Sequence, residues 1–312
     1  MKDDEGPDSR VAAPHPVRSS LSRGHLLILC CAVMWSFGGL FVKVLRKHYG
    51  ADPAAIACLR SAAAGLALAW ALPGLATAPK GRALASAVAY TAVVSSFVVA
   101  VAGTTAANAI FLQYAYPLFV AVGAVWFFRE ALGRRTLAAL ALGAAGVATI
   151  LVFSWQPGQR QGLVCGFGSS IAFAALALLQ RSMRRGSPIA LSSFYNLTAA
   201  VLLLPLAWGR LSLSAEALLL LALMGILQLG VPYVFFIQGL RSVPATDGAL
   251  ITLAEPILNP IWVWLFFGEP TAGGTMVGGA LILLALLVRF LPLRVTAGAG
   301  RPPRTRARWR PR

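Results

Sequence analysis

Acidic residues are scarce in this chain. Ten Asp and Glu stand against 27 Lys and Arg in 312 residues, giving a net charge of +17. Histidine is scarcer, with three. No HExxH or clustered His/Asp/Glu arrangement occurs, so metal catalysis has no ligands and we expect no metal. No Walker A run is present, which excludes ATP as an energy source within the chain, and no G-x-S-x-G elbow appears. The four cysteines (Cys30, Cys31, Cys58 and Cys165) fall in apolar runs without CxxC spacing. They read as packing residues, not as a disulfide framework. Charge of either sign is low at 12%, against about 25% in a soluble domain. That leaves too little polar surface for an ordinary soluble enzyme. Disorder is excluded by the high hydrophobicity.

What the chain does have is apolar length. Hydrophobic residues make up 58% of it, and the mean hydropathy is +0.74. A membrane span takes about 20 apolar residues. The pattern predicts an all-α integral membrane protein with ten spans, at roughly 25–45, 53–73, 83–102, 105–128, 135–153, 162–182, 188–208, 214–238, 244–267 and 273–293. The first reads as a retained span, not a signal peptide. Short links carry turn chemistry, such as Gln156-Pro157-Gly158 and Gly186-Ser187-Pro188. The weakest boundary, between the third and fourth spans, rests on Gly103-Thr104-Thr105.

Ten spans put both termini on one side. With the termini cytoplasmic, 21 of the 27 basic residues lie inside, five lie outside (among them Lys43), and Arg60 is left within a span. The positive-inside rule therefore predicts a multi-pass protein with both ends in the cytoplasm. The Ala- and Arg-rich composition points to a bacterial inner (plasma) membrane. The positive charge thus has no need of nucleic acid. The Pro/Arg-rich C-terminal tail reads as an orientation determinant touching anionic lipid.

The chain also repeats itself. Residues 106–130, AANAIFLQYAYPLFVAVGAVWFFRE, align without gaps on 245–269, ATDGALITLAEPILNPIWVWLFFGE, at an offset of 139. Ala115/Ala254, Pro117/Pro256, Phe127/Phe266, Phe128/Phe267 and Glu130/Glu269 coincide, and Asn108 faces Asp247. A five-span unit reverses orientation at each copy. The halves are therefore inverted, a transporter architecture with its site near the midplane.

These stretches resemble the EamA domain of the drug/metabolite transporter superfamily. The resemblance covers nearly all of 25–293, although Arg129-Glu130 stands where Gly-Glu is usual. It implies two EamA-like five-helix repeats, at 24–154 and 160–293. A disordered cytoplasmic tail (1–23) would precede them and the Arg/Pro-rich tail (294–312) would follow. It further implies a non-enzyme without cofactor, a secondary transporter or facilitator that exports small metabolites such as amino acids and related polar or amphipathic compounds. Alternating access would rock the halves about a cavity lined by spans 1–4 and 6–9, with spans 5 and 10 bracing the outside. The alternatives are an integral-membrane enzyme acting on lipid and a non-transporting scaffold. The enzyme would use Glu255 or Asp247 as acid or base and should cluster such groups at an interface, whereas Glu255 is central. A scaffold would not need a buried Glu-bearing stripe.

Intramembrane ions are costly and face a cavity or a partner. Gly248, Thr252, Glu255, Asn259 and Trp262 recur at helical spacing, placing them on one face of span 9. Glu255 lies about 15 Å into the span, near the midplane. It reads as a substrate contact or protonatable coupling group, or as a structural carboxylate locking two helices. Arg60, about 10 Å below its boundary, reads as the partner of Glu255, as a substrate-carboxylate ligand, or as a snorkelling residue. Asn108 and Asp247 read as helix caps or cavity residues. The repeat maps Thr252 onto Gln113 and Glu255 onto Tyr116, which places Gln113 and Tyr116 on the opposite wall. Trp35, Tyr90, Tyr195, Asn196, Gln228 and Tyr233 complete the candidates for an amphipathic or aromatic solute, with packing as the alternative for each. Gly143/Gly146 and Gly274/Gly278 read as close helix contacts.

Overall fold

The computed structural model describes residues 22–129, 131–181, 183, 186–240, 242–243 and 245–291. The readings placed on Glu130, on residues 1–21 and on the C-terminal tail lie outside the described residues. Among the described residues, nine helices are long and apolar enough to cross a membrane, or ten when one bent pair counts as a span. No strand occurs among the described residues.

Span 1 is built from α1 (Arg23–Ser36) and α2 (Gly38–Tyr49), and span 2 from α3 (Pro53–Ala67) and a 3-10 segment (Ala69–Leu75). Span 3 is α4 (Lys80–Gly103); span 4 is α5 (Ala106–Gln113) with α6 (Tyr116–Phe128). Spans 5, 6 and 7 are α7 (Arg134–Ser154), α8 (Arg160–Arg181) and α9 (Pro188–Ala207). Span 8 joins α10 (Ala215–Leu223) through a π-helical stretch (Met224–Gly230) to α11 (Val231–Leu240). Span 9 is α12 (Ala245–Ile251) with α13 (Ala254–Phe267), and span 10 is α14 (Gly273–Phe290).

The starts are chemically specified. Asp52 accepts the Ala54 N–H ahead of Pro53, Thr105 accepts that of Asn108, and Ser187 accepts that of Ala190 ahead of Pro188. Each satisfies an orphan N–H of a first turn. Ser22 forms a reciprocal capping pair with His25, so the first helix begins inside the stretch expected to be tail. Span 2 differs from its straight expectation of 53–73. The chain bends by 75° after Ala67, and Pro73 keeps the continuation from being α-helical.

The packing has the symmetry that the repeat requires. Span 3 packs on span 6 and span 8 on span 1, while spans 2 and 7, and 5 and 10, pack on each other. Exchanging each span with the one five later maps this set onto itself. The same holds for span 1 against span 9 and span 6 against span 4. The all-α membrane fold is thus two inverted five-span repeats. Glycine permits the closest contacts. A Cβ on Gly146 would lie 2.6 Å from the Gly278 carbonyl, and one on Gly278 would lie 2.6 Å from that of Gly146. Spans 5 and 10 therefore meet backbone to backbone. The bundle has a Lys43 end, which also carries Thr104, Gln159 and Glu269, and an opposite Arg289 end.

Candidate functional site

Two spans break at equivalent places. The regular hydrogen-bond ladder is interrupted in span 4 at Tyr114–Ala115 and in span 9 at Thr252–Leu253, while the backbone stays right-handed. The repeat offset superposes these positions to within one residue. Pro117 and Pro256 follow, each in the first turn of the resumed helix, where a missing N–H costs nothing. Pro260 sits within α13 without ending it. The stripe Gly248–Trp262 therefore belongs to two half-helices, not one. The N-termini of α6 and α13 both point into the middle of the bundle, as at the binding sites of broken-helix carriers.

Glu255 lies in the first turn of α13. Its Oε2 is 2.7 Å from the Tyr114 hydroxyl, which is also 3.1 Å from the Thr252 carbonyl. The Thr252 hydroxyl is turned back onto the Ala249 carbonyl at 2.9 Å. Tyr116 stacks on Phe173 at 4.1 Å between ring centroids and lies within electrostatic range of Glu255, as does Cys31 from α1. Gln113, expected on the same wall, instead donates to Ser169 at 2.8 Å and fastens span 4 to span 6. Tyr114 was not among the sequence candidates. Its repeat partner is Leu253, so the offset that flagged its neighbours gave it no polar counterpart.

Arg60 and Glu255 do not pair. Arg60 donates to the Val94 carbonyl at 3.2 Å, and its Nε is buried without a partner. It belongs to a second group. Tyr90 donates to Asn196 Oδ1 at 2.8 Å and lies 5.9 Å from the Tyr195 ring, whose hydroxyl is also buried and unpartnered. Tyr233 lies within electrostatic range of Tyr90, Tyr195 and Cys31.

A third group surrounds the break in span 1. Trp262 donates to Ser36 at 2.8 Å and stacks on Phe37 at 4.9 Å, while Trp35 packs on Phe236 at 5.4 Å. Gln228, in the π-helical stretch, donates to the Trp35 carbonyl at 3.2 Å. Pro232 has no N–H with which to continue the regular ladder there, and π segments recur at functional sites. Gln228 Oε1 and both amide atoms of Asn259 are buried with no partner. Asn259 presses on Gly39, where a Cβ would lie 2.4 Å from its Oδ1. Buried amides left unsatisfied in this way cost about 1–3 kcal/mol each, which marks this contact as a strained one.

The Lys43 end is closed by polar contacts that the sequence did not reveal. Lys43, counted above as a loop residue, lies in α2 with its side chain 10% exposed. Its Nζ is 2.7 Å from Glu269 Oε2 and donates to the Thr104 carbonyl at 3.0 Å. Glu269 Oε1 accepts the Ala106 N–H at 2.9 Å. Beside them Thr104 donates to Gln159 at 2.8 Å. Asn108 is neither the cap nor a cavity residue, because Thr105 caps α5. The Asn108 amide instead donates to Thr104 at 3.0 Å and accepts from Thr275 at 2.7 Å, tying span 4 to span 10. The side chain of Asp247, its repeat partner, lies outside the described residues.

A groove of about 530 Å³ lies between spans 9 and 10 toward the Lys43 end, lined by Ile257, Trp264 and Thr271. The opposite half of the bundle carries a cavity of about 210 Å³, which runs from Tyr116 along Pro117, Val120 and Ala124 to Thr136 and Arg289. Spans 5 and 10 therefore line this part as well as bracing the outside. Tyr116 belongs to both the cavity and the Glu255 group.

The model of the EamA-like transporter family matches residues 22–152 and again 160–291. An uncharacterized transporter of Archaeoglobus fulgidus is 28% identical over 200 residues, covering 63% of this chain and 72% of the relative. The uncharacterized transporter YwfM of Bacillus subtilis is 30% identical over 131 residues, 41% of this chain and 44% of that one. A riboflavin transporter of Rhizobium johnstonii is 30% identical over 200 residues, 62% of this chain and 65% of its own. A crystal structure of a protein 18% identical in sequence superposes with a TM-score of 0.63, covering 90% of this chain and 100% of the other. That likeness concerns the fold.

Proposed function

Because the chain belongs to the EamA-like transporter family, we propose that this multi-pass membrane transporter is a secondary carrier or facilitator exporting small polar or amphipathic metabolites. Both termini face the cytoplasm of a bacterial cell, so the Arg289 end opens inward and the Lys43 end is the outer one. The observation that carries the reading is the pair of spans broken at repeat-equivalent positions around Glu255. Half-helix N-termini near the midplane place the positive ends of their dipoles toward a solute. Tyr90, Tyr116, Tyr233 and Trp35 supply apolar faces with polar edges. Amino acids and small aromatic compounds fit such a lining, and the name of the Rhizobium johnstonii relative makes riboflavin a first compound to try.

The polar closure at one end supports a reading of alternating access. The Lys43–Glu269 pair holds spans 1, 4 and 9 together at one end, while the cavity below Tyr116 reaches the other. Rocking one inverted half against the other exchanges these roles. The basic C-terminal tail then lies at the inner surface, where anionic lipid attracts it.

An untargeted comparison of exported metabolites between overexpressing and deletion cells identifies the substrate. Flux of that compound into proteoliposomes should fall at least about tenfold in Glu255→Gln, the equivalent of about 1.4 kcal/mol of lost interaction. Wild-type flux in Glu255→Gln and Arg60→Ala would remove these residues from the site. A deletion strain with an unchanged export profile would count against transport of metabolites altogether.

A further inference from the structure

We propose that the Tyr114 hydroxyl is a hydrogen-bond switch that keeps Glu255 partnered in both of its charge states, which makes Tyr114 the positioning residue through which proton binding reaches spans 4 and 9. The inference deepens the carrier reading and rests on its placing Glu255 at the transport site.

The argument is one of proton counting. A phenol carries one proton and can also accept. Two acceptors lie within reach of this one, Glu255 Oε2 at 2.7 Å and the Thr252 carbonyl at 3.1 Å. With Glu255 ionised, the single proton points to the carboxylate, the stronger acceptor. A proton arriving from water on Oε2 turns the carboxyl into a donor. Its O–H then points to the Tyr114 oxygen, and the phenol proton swings to the Thr252 carbonyl. No bond other than that to the incoming proton forms, and nothing is oxidised or reduced. The Thr252 carbonyl already accepts the Glu255 N–H at 3.0 Å, and a carbonyl oxygen has a second lone pair for the phenol.

Placement gives the switch its consequence. Tyr114 is the residue at which span 4 leaves its helix, and Thr252 is where span 9 leaves its own. Segments freed from the helical ladder absorb changes of dihedral angle that a continuous helix resists. A hydrogen bond redirected between these points therefore acts on two hinges at once. The groups facing Glu255 are Tyr114 and Tyr116 from span 4 and Cys31 from span 1. From α2, Lys43 is engaged with Glu269 beyond the far end of α13. Among the described residues no Lys, Arg or His lies within ion-pair distance of Glu255. A proton is thus a natural partner for the charge, and Tyr114 accommodates its arrival and departure.

The test is a pH titration of the full chain in lipid nanodiscs, without substrate, followed by infrared difference spectroscopy. A carboxylic C=O band should appear as pH falls and be absent from Glu255→Gln. A tyrosine C–O band should change with it and be lost in Tyr114→Phe, where the carboxyl band persists but moves to higher frequency. Site-specific 3-fluorotyrosine at 114 keeps the hydroxyl and should restore the coupled change, which guards against a Phe variant that folds poorly. A titrating carboxyl band untouched by Tyr114→Phe, or one that survives in Glu255→Gln, would overturn the proposal. Uptake of a labelled amino-acid mixture by proteoliposomes reads the carrier hypothesis separately. Glu255-dependent uptake whose pH profile is the same in wild type and Tyr114→Phe would sink the switch while sparing the carrier.

Discussion

Arg129 closes α6 with a φ of 54°, the left-handed conformation that Gly268 adopts with a φ of 61° at the end of α13. The repeat and the physics agree here. A helix ending in this way favours glycine, because any Cβ crowds the following carbonyl. Arginine in this conformation costs about 1 kcal/mol or slightly more. Arg129→Gly should therefore stabilise the protein by about 1 kcal/mol, read as a raised midpoint of thermal unfolding in detergent. The departure from the family's Gly-Glu was legible in the sequence, and its backbone consequence follows directly from it. The role of Asn108 was not legible. Its place in a first turn suggested a cap, but Thr105 reached the free N–H groups first. The Asn108 amide was left to join Thr104 and Thr275, residues far apart in the chain.

The elements show where periodicity stops being informative. Spans 4 and 9 each have the length of one membrane-crossing helix, and a residue count alone sees one helix in each. Their half-helices arise because Pro117 and Pro256 lack the N–H that would continue the ladder. Span 1 breaks without proline, at Phe37 before Gly38 and Gly39, where Gln228 and Asn259 press against the backbone. Gly39→Ala puts a methyl 2.4 Å from Asn259 Oδ1, and overpacking of that kind costs about 1–3 kcal/mol. Asn259→Ala should relieve it. A double-mutant cycle on unfolding midpoints then gives an interaction energy of about that size; strict additivity would show that the contact is not tight. Spans 5 and 10 depend on the Gly146–Gly278 approach. Gly146→Leu should separate them and cost at least about 1–3 kcal/mol, seen as early unfolding on detergent titration.

At the scale of the whole molecule, the proposed orientation and the closure of the Lys43 end both rest on charge. A single cysteine at Gly158 should react in intact cells with a membrane-impermeant maleimide, and one at Gly133 should not. The reverse pattern would invert the topology. The ion pair at the Lys43 end is screened from solvent, with 10% and 17% of its side chains exposed. Lys43→Met leaves Glu269 unpaired and should destabilise by about 3 kcal/mol. The swap Lys43→Glu with Glu269→Lys should not recover this, because Lys43 also donates to the Thr104 carbonyl and Glu269 accepts the Ala106 N–H. The neutral pair Lys43→Met with Glu269→Leu should recover more, and unfolding midpoints of the two double variants check the order.

The sequence by itself determined the membrane class, the ten-span plan, the inverted repeat and the presence of a carboxylate near the midplane. Each of these is a matter of composition, period or offset along the chain. Only the tertiary structure decided the partners. Glu255 went to Tyr114 and Arg60 to the Val94 carbonyl, while Lys43 closed one end with Glu269. A buried polar group takes the nearest satisfied geometry that the packed helices offer. That geometry depends on how spans distant in sequence cross, which no spacing within one span records.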